Sequence, residues 1–306
     1  MKERKLIQYL VITLKGIAMG AADVVPGVSG GTIAFISGIY EELLSSISSV
    51  SLKSLRILKT EGVKPFWKAI NGNFLLALLI GVAISIFSLA KLISWALENE
   101  PILVWSFFFG LVLASIIYVG KQISEWNFLI FFILIIGAGI AYYITTLEPI
   151  ITENSSMLFI FIAGAIAICA MILPGISGAF ILVLLGAYKP VLDAIDEKDV
   201  KLLGILALGA VVGLLTFSKI LKWFFIKYRN LTLAILTGFI IGSLNKIWPW
   251  KEVISWRVNS HGKQVPLNEE SILPSTFNGD PQLLMAILLA ILGFSMIIIL
   301  EKLSKD

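Results

Sequence analysis

Two five-residue stretches, Pro26-Gly27-Val28-Ser29-Gly30 and Pro174-Gly175-Ile176-Ser177-Gly178, place helix breakers and a hydroxyl inside long apolar runs. Proline has no amide hydrogen to give, and with the glycine after it ends an incoming helix. Ser29 and Ser177 then stand where an N-cap belongs, ahead of Ile33-Ala34-Phe35-Ile36 and Phe180-Ile181-Leu182-Val183. The glycines, including Gly31, leave backbone amides uncovered by side chains, and Thr32 adds a further hydroxyl. Free amides at the positive end of a helix dipole form an anion site. The competing reading is a pair of tight turns whose small residues let helices pack.

Magnitudes show what else such a site needs. One helix end gives an anion about 0.3–1 kcal/mol, or ~2 when partly buried. A charge at the centre of a bilayer costs about 2.5–3.5 kcal/mol on insertion scales. Two helix ends barely offset a phosphate monoanion, so a watery cleft or a cation is required. Lys91 and Lys219 are the candidates for that cation. Their alternative is snorkelling to the membrane surface. Asp23, three residues before the first break, is an ionisable group in an apolar segment and a functional candidate by default. Beside a bound anion it must carry a proton or pair with sodium. It is expected to couple movement to H⁺ or Na⁺, or else to accept hydrogen bonds from the amides of its own break.

The two stretches belong to an internal repeat. Positions 26 and 174 lie 148 apart, and the same offset pairs Gly16 with Gly164, Ala22 with Ala170, Ile33 with Ile181, Gly38 with Gly186 and Tyr40 with Tyr188. Glu41 and Lys189 follow those tyrosines with opposite charge and are expected at the membrane surface, where they could recruit a lipid head group. An offset of 128 pairs Gly81 with Gly209, Lys91 with Lys219, Trp95 with Trp223, Gly110 with Gly238 and Ser115 with Ser243. Gly137 and Gly293 correspond more loosely. Asp23 faces Met171 across the repeat, so the acid is in one half alone.

Composition says where the repeat lives. The chain has 306 residues, 58% hydrophobic and 14% charged, with mean hydropathy +0.94. Soluble chains carry about 25% charged residues. The runs 74–97, 101–119, 128–145, 202–225 and 283–300 each approach the ~20 apolar residues that span a bilayer. This is a polytopic membrane protein. Its net charge of +4 reports topology, not nucleic-acid binding. A single cysteine, Cys169, and a single histidine, His261, exclude an intramolecular disulfide and a Cys or His metal cluster. No cofactor is expected beyond a coupling ion. The basic and apolar N-terminus imitates a signal peptide, but the same pattern recurs before the second break, so the segment is expected to belong to the fold.

Each half has four apolar elements: 6–44, 74–97, 101–119 and 128–145, then 158–192, 202–225, 231–244 and 283–300. Basic loops stay in the cytoplasm. The N-terminus and the loop with Lys53, Arg56, Lys59, Lys64 and Lys68 fall inside, while Glu98-Asn99-Glu100 falls outside. The connection with Glu148 and Glu153 and the acidic Asp193–Lys201 loop also fall outside; Lys219–Arg229 and the C-terminal tail fall inside. Each half is then a broken or re-entrant hairpin followed by three crossings. An odd count turns the second half, 147–306, upside down against the first, 1–146. The expected fold is an all-α integral membrane protein of two inverted-topology repeats forming one membrane domain.

Two loops add detail. Residues 45–71 interleave Lys53, Arg56 and Lys59 with Leu52, Leu55 and Leu58, the pattern of an amphipathic helix on membrane lipid. An ordinary positive-inside loop fits as well. Residues 245–281 form the longest polar segment, with Trp248, Trp250 and Trp256, an outer cap at most.

The motif Gly-Ala-Ala-Asp-Val-Val-Pro-Gly-Val-Ser-Gly-Gly-Thr at 20–32, with Pro-Gly-Ile-Ser-Gly-Ala-Phe at 174–180, resembles the bacterial polyprenyl-phosphate transporter family. The resemblance covers essentially the whole chain. It implies a multi-pass protein of the bacterial cytoplasmic membrane that returns undecaprenyl phosphate, the lipid carrier of cell-wall synthesis, for reuse. Its partners would be that lipid and membrane lipids. Pro-Gly-x-Ser also resembles part of the phosphate motif of membrane undecaprenyl-pyrophosphate phosphatases. That motif continues Arg-Ser where this chain has Gly30-Gly31 and Gly178-Ala179, and no intramembrane His or Arg is offered for phosphoryl transfer. A small-anion carrier or channel is the remaining alternative.

Overall fold

The computed structural model describes residues 4–25, 27–150, 156–258 and 264–303; Pro26, Glu153 and His261 fall outside them. The chain is built almost wholly of helices. The first half runs α1 (Leu6–Val24), α2 (Gly30–Ile36), α3 (Tyr40–Ser49), α4 (Leu52–Glu61), α5 (Val63–Ala69), α6 (Gly72–Ser88), α7 (Ala90–Asn99), α8 (Pro101–Gly120) and α9 (Phe128–Thr146). The second half runs α10 (Met157–Ile172), α11 (Gly178–Leu184), α12 (Tyr188–Asp196), α13 (Val200–Lys227) and α14 (Arg229–Ser243). It continues through a 3₁₀ turn (Leu244–Ile247), a hairpin of β1 (Lys251–Val258) and β2 (Gln264–Ser271), and α15 (Leu283–Leu303). Among the described residues five helices are long and apolar enough to cross a membrane, or up to seven if each bent pair counts as one span. It is a multi-pass membrane protein.

Both expected breaks are present, and their backbones match. Gly27 and Gly175 have φ of 83° and 86°, and Gly38 and Gly186 have 73° and 74°. Each break leads into a helix of seven residues, and α11 and α12 meet at 105°. Only glycine holds such φ values without strain.

Helix pairing is made by glycines set against carbonyls. A methyl group at Gly81 would collide with the Thr13 carbonyl, and one at Gly209 with that of Phe161, closing α1 on α6 and α10 on α13. A methyl at Gly110 would meet the Ala290 carbonyl and one at Gly238 that of Leu134; Gly293 faces Phe107 and Gly137 faces Ile235. These contacts bring α8 against α15 and α9 against α14, so each half lends a helix to the other. Offsets of 148 and 128 carry the first set of contacts onto the second. Helices without a water-driven force between them pack through such close approach.

Three expectations change. The apolar run 74–97 is interrupted at Leu89, where α6 gives way to α7. The basic residues Lys219, Lys222 and Lys227 lie within the 28-residue helix α13, so the loop before α14 shrinks to Tyr228. The polar segment 245–281 holds an antiparallel β-hairpin, the one departure from helix among the described residues. The amphipathic segment does form a helix, α4, with Ser51 capping it and Leu52, Leu55 and Leu58 exposed.

A prediction follows from the paired glycines. Gly81→Val and Gly209→Val should each cost about 1–3 kcal/mol or more through overpacking. Gly204→Ala, which meets nothing within 4 Å, should leave the melting temperature in detergent unchanged or raise it. Equal behaviour of all three would contradict this account of the packing.

Candidate functional site

The polar groups around the two breaks come mostly from the first half. Asp23 sits in the last turn of α1, and its Oδ1 accepts the Gly30 amide at 2.7 Å. A methyl at Gly30 would fall 2.5 Å from the other carboxylate oxygen, so the bare residue is what lets the acid approach. Ser29 caps α2, with Oγ accepting the Gly31 amide at 3.1 Å. The same hydroxyl lies 3.1 Å from the Met171 carbonyl and 3.4 Å from that of Leu173, where α10 runs out of intrahelical partners. The Tyr40 hydroxyl donates to the Ile172 carbonyl at 3.0 Å. Thr32 Oγ1 accepts the amide of Gly175 at 2.9 Å. One broken hairpin thus supplies hydrogen bonds to the backbone released by the other.

This changes the expectation of free amides. Gly30, Gly31 and Gly175 all have protein acceptors, and α2 and α11 are only seven residues long. In an apolar surround each released group must find a partner, and these find one inside the chain. Asp23 accordingly takes the role of an acceptor for its own break. Ser177 does the same in the second copy, accepting the Phe180 amide at 3.4 Å. Pro174 and Gly178 are buried against this centre, Gly178 facing the Ala167 carbonyl.

A third element covers both breaks: the end of α14 with the 3₁₀ turn after it. A methyl at Gly175 would fall 2.8 Å from Ser243 Oγ, and one at Gly27 would fall 2.8 Å from Cγ of Lys246. The Lys246 ammonium lies 5.0 Å from the centre of the Phe180 ring. Lys246 therefore touches the first break with its stem and the helix after the second with its charge. Sequence reasoning missed it because it opens a polar segment read as a loop. The one available signal was its place three residues after the repeated Ser243.

The two lysines expected to serve as cations are placed elsewhere. Lys91 is exposed on α7 and Lys219 is exposed on α13. Glu41 pairs with Arg229 at 2.6 Å, both about half exposed, and Lys189 is exposed at the start of α12. Two cavities open beside α3. One of about 680 Å³ is lined by Arg4, Lys5, Glu42 and Asn71, the other of about 310 Å³ by Glu41, Lys222 and Arg229, and Ser45 borders both. Neither is lined by a residue of either break. Among the described residues no cluster of three or more His, Cys, Asp or Glu could hold a metal.

Lys251, on β1, locks the hairpin to the bundle. Its ammonium donates to the Lys246 carbonyl at 2.8 Å, lies 3.5 Å from Glu269 and sits 4.0 Å from the centre of the Trp105 ring. Trp248 and Trp250 pack beside it and donate to the Ile272 and Pro281 carbonyls at 2.8 and 2.9 Å. Burial pushes the Lys251 ammonium down to about 8, against the pull of Glu269.

Broken helices that satisfy one another inside an apolar bundle define a multi-pass membrane protein with a polar centre. The comparisons make it a transporter rather than an enzyme. The chain belongs to the undecaprenyl phosphate translocase-like family, whose profile matches residues 19–265. It is 50% identical to a polyprenyl-phosphate transporter of Vibrio cholerae over 97% of this chain and 98% of that one. It is 33% identical to a polyprenyl-phosphate transporter of Staphylococcus aureus over 80% of this chain and 89% of that one. No solved structure matches.

Two outcomes test this geometry. Thr32→Val leaves the buried Gly175 amide without an acceptor and should cost about 1–3 kcal/mol, whereas Thr32→Ser should keep most of the stability. Because Lys251 is depressed in the folded protein, the unfolded chain binds the extra proton between about pH 8 and its ordinary value near 10.5. Stability should therefore rise with pH across that window and level off below it. Lys251→Met should abolish that rise.

Proposed function

We propose that this chain carries polyprenyl phosphate, with undecaprenyl phosphate as the substrate, across the bacterial cytoplasmic membrane for reuse in cell-envelope synthesis. The observation that carries the reading is the pair of broken hairpins joined by Thr32 and Gly175 inside the bundle. It is supported by the near full-length likeness to proteins named for this transport. Halves 1–146 and 147–306 are inverted repeats, with both termini cytoplasmic, as the charges of the loops require. Alternating access in such folds is a rocking of one repeat against the other around a central site.

The breaks are closed in the conformation described, their amides taken by Asp23, Ser29 and Thr32. A phosphate reaches Gly27, Ser29, Gly30, Gly31, Thr32, Gly175, Ser177 and Gly178 only when the hairpins part. Asp23 couples that parting to protons or sodium: neutralising its carboxylate weakens its hold on the Gly30 amide and frees that donor. Glu41 and Lys189 meet head groups at the two surfaces. Lys91 and Lys219 snorkel to the interface, and α4 lies on the lipid with its leucines inward.

Proteoliposomes with labelled undecaprenyl phosphate, read for leaflet exposure and for phosphate release in parallel, test the reading. Translocation without hydrolysis is expected; hydrolysis, or no movement, overturns it. Asp23→Asn should still bind substrate but no longer respond to a pH or sodium gradient. An unchanged response removes Asp23 from the coupling.

A further inference from the structure

Among the described residues one cation touches both breaks, and no carboxylate pairs with it directly. Lys246 is half-buried, makes no hydrogen bond through its ammonium and has no carboxylate within ion-pair distance among the described residues. Its close partner is the Phe180 ring at 5.0 Å, and the Glu269 carboxylate, engaged with Lys251, acts on it only from beyond ion-pair distance. An aromatic face tolerates a cation but does not replace a hydrogen-bonded anion. The other cations near the core are paired or bonded. Arg4 meets Glu42 at 2.7 Å, Lys15 donates to the Ser37 carbonyl at 2.6 Å, and Lys222 donates to the Ser45 hydroxyl at 3.0 Å. Lys251 has Glu269.

The position is also held deliberately. The Lys246 carbonyl is the acceptor for Lys251, which pins the turn against Trp105 and the hairpin. Ile247 next to it is fully buried and abuts Gly27. The backbone is thus clamped while the side chain is left without a strong partner. Across the repeat its equivalent is Tyr118, 128 positions earlier, so this charge, like Asp23, occurs in one half alone. An ionisable group inside a membrane bundle marks a substrate path by default.

We infer that Lys246 is the residue that binds the phosphate monoester of the transported lipid, the anion supplying the direct partner that Glu269, engaged with Lys251, does not. The inference rests on the polyprenyl-phosphate reading and names the cation that reading needs. Phe180 lies against the ammonium and holds it between the two breaks while the site is empty. When the hairpins part, the phosphate takes the place of the ring as the partner of Lys246.

The test measures binding in detergent by thermal shift, using farnesyl phosphate, farnesol and inorganic phosphate as probes. Wild type should be stabilised by farnesyl phosphate well beyond farnesol, and little by inorganic phosphate. Lys246→Gln should bind farnesyl phosphate roughly thirtyfold more weakly, the scale for removing one partner of a desolvated charge pair. Its affinity for farnesol should not change, and Lys246→Arg should keep most of the phosphate preference. Without ligand, Lys246→Gln should melt no lower than wild type, because for this cation burial outweighs the distant attraction of Glu269. A variant that still prefers the phosphate, or one that melts lower and regains wild-type binding once cooled, makes Lys246 structural and overturns the inference. A wild type that does not prefer farnesyl phosphate over farnesol overturns the lipid reading itself. An equal shift from inorganic phosphate, lost in Lys246→Gln, keeps the lysine and replaces the lipid by a small anion.

Discussion

Everything at the centre of this molecule follows from one constraint: backbone groups released by a broken helix cannot be left bare in an apolar bundle. Two breaks release two sets of such groups; the first half satisfies its own amides through Asp23 and Ser29, and those of the second break across the repeat. Thr32 takes the Gly175 amide, while Ser29 and Tyr40 face the last carbonyls of α10. Neither break is therefore independent. Pulling the hairpins apart strands the Gly175 amide and the last carbonyls of α10, unless a ligand or water replaces their partners. A phosphate dianion brings acceptors alone, so it compensates the stranded amide and not the stranded carbonyls.

The repeat is symmetric in its frame and asymmetric in its chemistry. Glycine–carbonyl contacts recur at equivalent positions in both halves, because the helices must approach to the same distance. Of the side chains that do the bonding, Ser29 and Tyr40 recur as Ser177 and Tyr188, but others do not. Asp23 faces Met171, Thr32 faces Phe180 and Lys246 faces Tyr118 across the repeat. At these three positions one half supplies an acid and a hydroxyl, the other an aromatic ring and a base. No ion pair joins Asp23 to Lys246 among the described residues, which leaves each free to answer a different ion.

Much of this frame is legible in the residues themselves. Gly27, Gly38, Gly175 and Gly186 announce their turns, because no other residue holds their φ values cheaply. The helix pairs are encoded in Gly81, Gly110, Gly209 and Gly238. The site is less legible, since it depends on what the fold brings from far along the chain. Nothing local says that Thr32 will cap an amide at position 175, or that the breaks will be closed rather than open. Lys246 is hidden by hydropathy, which assigns it to a polar loop. Lys91 and Lys219 stand out by repeating, yet both are exposed, on α7 and α13, away from the breaks. The hairpin is also obscure, because Pro266 and the acidic run at 269–270 read as loop.

The closed interlock is the central claim, and amide hydrogen exchange tests it most directly. In proteoliposomes, exchange would be followed in the peptides spanning 27–33 and 173–180 during turnover with polyprenyl phosphate, and with the matching alcohol. The account predicts slow exchange at rest and with the alcohol, and a joint rise in both peptides during turnover. Breaks that exchange independently, or exchange that the phosphate lipid leaves unchanged, would contradict it.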